Sequence, residues 1–255
     1  MKILLSNDDG IEAKGIWALA SALSKDHEII IAAPKTQQSG MSHALSIHKH
    51  VEFKAVTVER IIELAQKHDL KLHNPIDAWE LDGTPTDCVK IYLEAMNTST
   101  KPDAVISGIN HGANLATDVT YSGTVGAALE GYLHDISALA VSIDINSEIT
   151  FEKAASATAK FLKEASRHES VFFHNINFPK KFKDNEAEFI WTRLGKRDYI
   201  NAFKLLSDEG KTYYRIGGEV YDIDRSEGTD IYAVECGYVS VTPLHADMTN
   251  FKKII

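Results

Sequence analysis

The first 34 residues, MKILLSNDDGIEAKGIWALASALSKDHEIIIAAP, read as strand, helix, strand. Ile3-Leu4-Leu5 is a short buried strand. In residues 15–23 the apolar side chains Ile16, Leu19, Ala20 and Leu23 recur at three- and four-residue spacing, which predicts a helix. Residues 28–33 (EIIIAA) form a second apolar run, ended by Pro34. A βαβ unit of this length implies a parallel sheet with a right-handed crossover.

Working outward, residues 35–58 read as a long polar loop followed by alternating strand, with Val51, Phe53, Ala55 and Thr57 on one face, and residues 59–69 as helical. At residues 82–87 (DGTPTD) the helix signals agree: Thr84 as N-cap, Pro85 at the first helical position and Asp87 closing a capping-box variant, with the helix running to about Met96. Strands follow at 103–107, 138–145 and 171–176, and helices at 124–133 and 151–165. After about residue 185 the segments 189–194, 212–222 and 231–242 are strand-like, and Gly217-Gly218 reads as a hairpin turn. The expected fold is α/β: a Rossmann-like, doubly wound, mostly parallel sheet over residues 1–185, carrying a β-rich C-terminal extension over 186–255. The two parts form a single structural domain.

Composition limits the function. The chain has 255 residues, 36 acidic against 27 Lys and Arg, and a net charge of −9. No stretch gathers the cations that a phosphate backbone requires, so a nucleic acid polymer is not the expected partner. No apolar run approaches the ~18 residues of a membrane span. The start MKILL runs straight into Ser6-Asn7-Asp8-Asp9, unlike a signal peptide, and a cytoplasmic location is expected. Cys88 and Cys236 stand far apart with no CxxC, which favours neither a disulfide framework nor a thiolate zinc site.

Four segments carry possible chemistry. Asn7-Asp8-Asp9-Gly10 follows the first strand, where open parallel sheets bind ligands. Adjacent carboxylates repel unless a cation lies between them or one keeps its proton. Alone, the pair reads equally as a helix-capping turn with Asp9 as cap and Gly10 as bend. Residues 35–40 (KTQQSG) place Ser39 after the second strand. Residues 107–114 (SGINHGAN) place Asn110 and Asn114 in a glycine-rich loop after the strand at 103–107. Parallel strands open their loops on one sheet edge, so Asp8, Asp9, Ser39 and Asn110 converge as an all-oxygen set suited to Mg²⁺ or Mn²⁺ rather than zinc. Ser122-Gly123-Thr124 opens a helix, Ser122 as its cap, with free N–H groups forming an anion nest. There is no GxGxxG and no GxxxxGK[ST]. His48 and His50 read as a solvated face, and Trp17 and Tyr92 as core.

Together these blocks resemble the SurE family, the stationary-phase survival proteins that act as 5′/3′-nucleotidases. The resemblance spans the chain: MKILLSNDDGIEAKGI, APKTQQSGMSHALS, DGTPTDCV, PDAVISGINHGANLATDVTYSGTVGAALEG, EGTD at 227–230 and GYVSVTPLHAD. It implies a metal-dependent phosphomonoesterase acting on nucleoside 5′- and 3′-monophosphates, and on short polyphosphate in some members. It implies Asp8, Asp9, Ser39 and Asn110 as metal ligands, with Asp8, Asp9 and Asn110 also catalytic. Phosphate would be bound by Asn114, Ser122, Gly123 and Thr124. Members exchange C-terminal segments between subunits, so a homodimer or homotetramer is expected, the apolar tail at 251–255 taking part. Two rivals are a nucleotide-binding regulator without significant catalysis, which would be expected to have lost an acid of the pair, and a haloacid-dehalogenase-type phosphatase, which would want Asp-x-Asp.

Overall fold

The computed structural model describes residues 1–96, 100–208, 211–250 and 253. Its first half runs β1 (Lys2–Ser6), α1 (Lys14–Leu23), β2 (Glu28–Pro34), β3 (Phe53–Ala55), α2 (Val58–Lys67), β4 (Ile76–Leu81), α3 (Pro85–Ile91) and β5 (Ala104–His111). There follow α4 (Gly123–Leu133), β6 (Ser137–Ile143), α5 (Phe151–His168), β7 (Phe173–Phe178) and β8 (Phe189–Trp191). The remainder is β9 (Lys196–Ile200), β10 (Phe203–Asp208), β11 (Lys211–Ile216), β12 (Glu219–Asp224), α6 (Asp230–Glu235) and β13 (Val239–Pro243).

Nine strands form one sheet in the order β3-β4-β2-β1-β5-β6-β7-β13-β8. The run from β4 to β7 is parallel throughout, while β3 and β13 pair antiparallel with their neighbours β4 and β7. From β1 the chain first builds outward through β2 and β4, then returns to add β5, β6 and β7 on the other side. That reversal between β1 and β5 opens a crevice at the strands' carboxyl ends. Both sheet faces are covered, as parallel sheets require. On one side Ile3, Leu5, Ile29 and Ile31 pack with Trp17 and Leu19 of α1; on the other Leu4, Ile30 and Val105 pack with Val89 of α3 and Ala127 of α4.

The capping predictions hold in detail. Thr84 accepts from Asp87 N, and the Asp87 side chain accepts from Thr84 N, a reciprocal capping box with Pro85 at the first position. Ser122 caps α4 by accepting from Val125 N at 3.1 Å. Trp17 and Tyr92 are buried, and His48 and His50 are exposed, neither of them on a strand.

Several expectations need correction. The strand after the polar loop is only three residues long, and Thr57 is not on its face but caps α2. Helix α3 ends at Ile91 and passes into a π-helical turn, Tyr92–Met96. Strand β5 continues through the glycine-rich segment to His111, with a register shift between Ser107 and Asn110. The sheet does not close at β7, since β13 and β8 extend it. Residues 231–242 are not all strand. Thr229 caps the short helix α6, whose Ile231 and Val234 bury one face against Leu115 and Ala116, and only β13 is extended.

Gly217-Gly218 is not a hairpin turn. Strand β11 pairs with β10, and β12 pairs with β9, so residues 196–208 and 211–224 run antiparallel to each other as one kinked ribbon. The glycines sit at its kink opposite Ala202, whose carbonyl accepts from Gly217 N at 2.9 Å. Gly218 has φ +119, and a Cβ there would lie 2.7 Å from the Ile200 carbonyl oxygen, so no larger residue fits the kink. We call this ribbon the arm. The tail residues Phe251, Ile254 and Ile255 lie outside the described residues.

Candidate active site

The turn after β1 is built from its own side chains. Buried Asn7 donates through Nδ2 to the Gly10 carbonyl at 2.9 Å, and Gly10 adopts φ +93. The cap of α1 is Ala13, without a side-chain bond, so the reading of Asp9 as a helix cap is removed. The turn is tied to the loop after β2, because the Asp8 carbonyl accepts from Gln38 N at 2.7 Å.

Asp8 is 6% exposed. Its Oδ1 accepts from the Thr124 hydroxyl at 2.5 Å, which fixes the carboxylate against the first turn of α4. Gly123 permits this contact: a Cβ there would stand 3.0 Å from Asp8 Cβ and 3.1 Å from Pro85 Cγ. Burial pushes the Asp8 carboxyl up to about 6; the Thr124 hydroxyl opposes that push, and the neighbouring Asp9 charge adds to it. Asp9 is half-buried, its Oδ2 accepting from His111 N at 3.1 Å and its Oδ1 from Gln37 Nε2 at 3.3 Å. Asn110 donates through Nδ2 to the Gly112 carbonyl at 2.6 Å, which leaves its amide oxygen as the group offered outward.

Asp8, Asp9, Ser39, Asn110, Asn114 and Ser122 line one cavity of about 350 Å³ at the crevice between β1 and β5. Gly123 and Thr124 stand one step behind it. Thr124 is fully buried, and its hydroxyl is engaged by Asp8 rather than free for an anion. Sequence reasoning missed Gln37, His111, Asp118, Tyr121 and Tyr199, which also line the cavity. Tyr199 comes from the arm. Its hydroxyl donates to Asp118 Oδ1 at 2.9 Å, and burial together with that carboxylate pushes the phenol up to about 12, so it remains a donor.

The loop after β5 is clamped from below. Asn114 N donates to Asn177 Oδ1 at 2.8 Å, the Asn114 carbonyl accepts from Asn175 and Asn177, and Asn114 Nδ2 donates to Ser142 Oγ at 2.8 Å. From the C-terminal side, fully buried Asp230 accepts from Ala116 N, Gly195 N and Ile231 N at 2.7, 2.8 and 2.9 Å. These bonds account for the EGTD segment in physical terms: Thr229 caps α6, and Asp230 ties the site loop to the root of the arm.

The donor set fits a hard divalent cation. It is all oxygen, it contains two adjacent carboxylates, and one of these is strained toward its protonated form when no counter-charge is present. A second grouping, Glu94, Glu130 and His134, has ligand atoms within 4.8 Å of one another. There Lys90 Nζ already lies 2.7 Å from Glu94 and 3.0 Å from Glu130, so the charge is balanced within the protein.

Comparison with known proteins shows which family the chain resembles. A family model described as "Survival protein SurE" matches residues 3–201. The chain is 40% identical over 257 residues to a protein named 5′-nucleotidase SurE from Heliobacterium modesticaldum, covering 100% of this chain and 89% of that one. It is 41% identical over 262 residues to a protein of the same name from Pelotomaculum thermopropionicum, covering 99% and 92%. The crystal structure of the SurE protein from Aquifex aeolicus matches with a TM-score of 0.79 at 35% identity, covering 99% of this chain and 96% of that chain. From its first strand to its C-terminal segments, this chain belongs to the SurE family.

Proposed function

We propose that the cavity hydrolyses nucleoside 5′- and 3′-monophosphates, and short polyphosphate, to release phosphate, with Mg²⁺ or Mn²⁺ held by Asp8, Asp9, Ser39 and Asn110. The observation that carries this reading is the acidic pair after β1, bonded through Thr124 to the N-terminus of α4, in one cavity with neutral oxygen donors. The nucleotidase names of relatives that match nearly the whole chain support it.

When bound, a divalent ion supplies neutralisation of phosphate oxygens and a water of lowered pKa. The protein's own groups do the rest. Thr124 holds Asp8 Oδ1, so Oδ2 is the oxygen left to accept a proton. Ser122 and Asn114 line the wall that receives the phosphoryl oxygens. The positive end of α4, with the Gly123 N–H, favours charge that develops there. The Asn114–Asn175–Asn177 lattice keeps this wall rigid, so little reorganisation is needed as charge builds. A regulator without catalysis would not need to retain both acids.

Phosphate release from AMP tests the reading. EDTA should abolish it, and excess Mg²⁺ or Mn²⁺ should restore it. Release that continues undiminished in EDTA would remove the metal from the mechanism.

The arm supports a homodimer or homotetramer, with residues 1–185 carrying the chemistry and 186–255 the assembly. Phe203, Leu205, Tyr214 and Ile216 are 64, 63, 70 and 80% exposed, a concentration of apolar surface that a solvated ribbon does not need. Light scattering at micromolar concentration should give at least twice 28.2 kDa. A 28.2 kDa particle would overturn the assembly. Among the described residues no helix is long and apolar enough to cross a membrane. Both cysteines are free thiols, in keeping with the reducing cytoplasm as the place of action.

A further inference from the structure

We propose that Tyr199, carried by the arm, is a specificity-determining residue that forms the surface on which the nucleobase of the substrate rests. The proposal builds on the nucleotidase reading and adds to it the group that separates a nucleotide from any other phosphate monoester.

Phosphate chemistry accounts for the carboxylates, amides and Ser122, but none of these offers a surface for a flat heterocycle. The cavity's aromatic rings are those of His111, Tyr121 and Tyr199. His111 is committed elsewhere: its Nε2 meets the Ile145 carbonyl at 3.1 Å and its ring packs edge-on against Phe151. Tyr121 is 66% exposed. Tyr199 is held instead. Its hydroxyl is fixed by Asp118, and its strand is fixed by its neighbour Arg197, which reaches Asp118 Oδ2 at 3.0 Å and Asp222 Oδ1 at 2.7 Å. The Arg197 carbonyl also accepts from Thr117 Oγ1 at 2.5 Å.

These bonds do two things. They anchor β9 to the 3₁₀ turn Ala116–Thr120 beside the site, so the ring is pre-set before substrate arrives. They also engage both Asp118 oxygens, one by the phenol and one by the guanidinium. A phenol ring offers every base a π-face, and stacking of this kind tolerates different bases. The arm therefore contributes to the site as well as to assembly.

The experiment compares AMP with ribose 5-phosphate, which lacks the base, in the full-length protein with Mg²⁺. Tyr199→Ala should raise KM for AMP by about tenfold, the scale of a lost base–aromatic stack, and leave kcat/KM for ribose 5-phosphate within about twofold of the parent. Tyr199→Phe, which keeps the ring, should hold KM for AMP near the parent value. Unchanged ribose 5-phosphate turnover also shows that the Ala variant is folded. Equal losses on both substrates would make Tyr199 a structural residue only, and no change on either would take the base elsewhere; both outcomes overturn the proposal. A parent protein inert on both substrates would count against the nucleotidase reading instead. Calorimetric binding of the two compounds would then still decide on Tyr199, with AMP alone expected to weaken in Tyr199→Ala.

Discussion

Asp8→Asn should lower phosphate release from AMP by about 10²–10³-fold or more, on the scale of losing a principal electrostatic element of a transition-state site. Asp9→Asn should behave alike. The reason lies in the charges. Two adjacent carboxylates, one buried against α4, make a region that is unfavourable when empty and favourable when a divalent cation shares it. Removing one charge weakens that attraction directly, while the near-isosteric amide can still accept from the Thr124 hydroxyl. The loss should therefore appear in activity and not in folding, and the melting temperature of the metal-free protein should not fall. Phosphate-release kinetics at increasing Mg²⁺, beside calorimetric melting of both variants, provide the check. Normal turnover of Asp9→Asn at saturating Mg²⁺ would sink the ligand assignment.

The parts of this arrangement legible in sequence are those encoded locally. The apolar runs at 3–5 and 28–33, with the amphipathic spacing between them, specify a parallel βαβ unit because few other structures bury that pattern. Thr84-Pro85-Asp87 and Ser122 were readable as caps because capping depends on residues within one turn. The convergence of Asp8, Ser39 and Asn110 followed from topology alone, since loops after parallel strands share an edge.

What escaped was non-local or locally ambiguous. Ile231, Tyr232 and Val234 favour strands by type, yet the Thr229 cap and the i, i+3 spacing of Ile231 and Val234 suit a short helix with a prepared surface at Leu115 and Ala116. Two consecutive glycines usually signal a tight turn, but at 217–218 they relieve a kink where the partner strand's carbonyl approaches too closely for a side chain. Tyr199 carries no local mark of its place, because its partner Asp118 is 81 residues away in the chain. Thr124, read as an anion ligand, is spent on Asp8, and only the packing of α4 against the β1 turn reveals that.

Glu130 is a further case of a non-local device, and its removal should give the largest loss of stability. It sits in the last turn of α4, 2% exposed, among residues that pattern alone would assign to the core. Its Oε2 meets His43 Nε2 at 2.7 Å, and its Oε1 meets Lys90 Nζ at 3.0 Å and His134 Nε2 at 3.2 Å. Burial alone would push the carboxyl up, but the hydrogen bonds from His43 and Lys90 more than offset it and hold the group at about 2. A folded value below the ordinary 4.5 means that this stabilisation is fully present above pH 4.5 and is lost as pH falls toward 2. Glu130→Ala should cost about 3–5 kcal/mol at pH 7, since it leaves His43 and Lys90 without their shared buried partner. Glu94→Gln, which alters the half-exposed member of the same network, should cost under about 1 kcal/mol. Guanidinium unfolding from pH 7 down to pH 3 measures both. The gap between the parent and Glu130→Ala should narrow steadily below pH 4.5, while Glu94→Gln follows the parent throughout. A Glu130→Ala protein within 1 kcal/mol of the parent at pH 7, or a gap that does not change with pH, would show that the network only decorates α4 and does not hold it against α3 and the loop at His43.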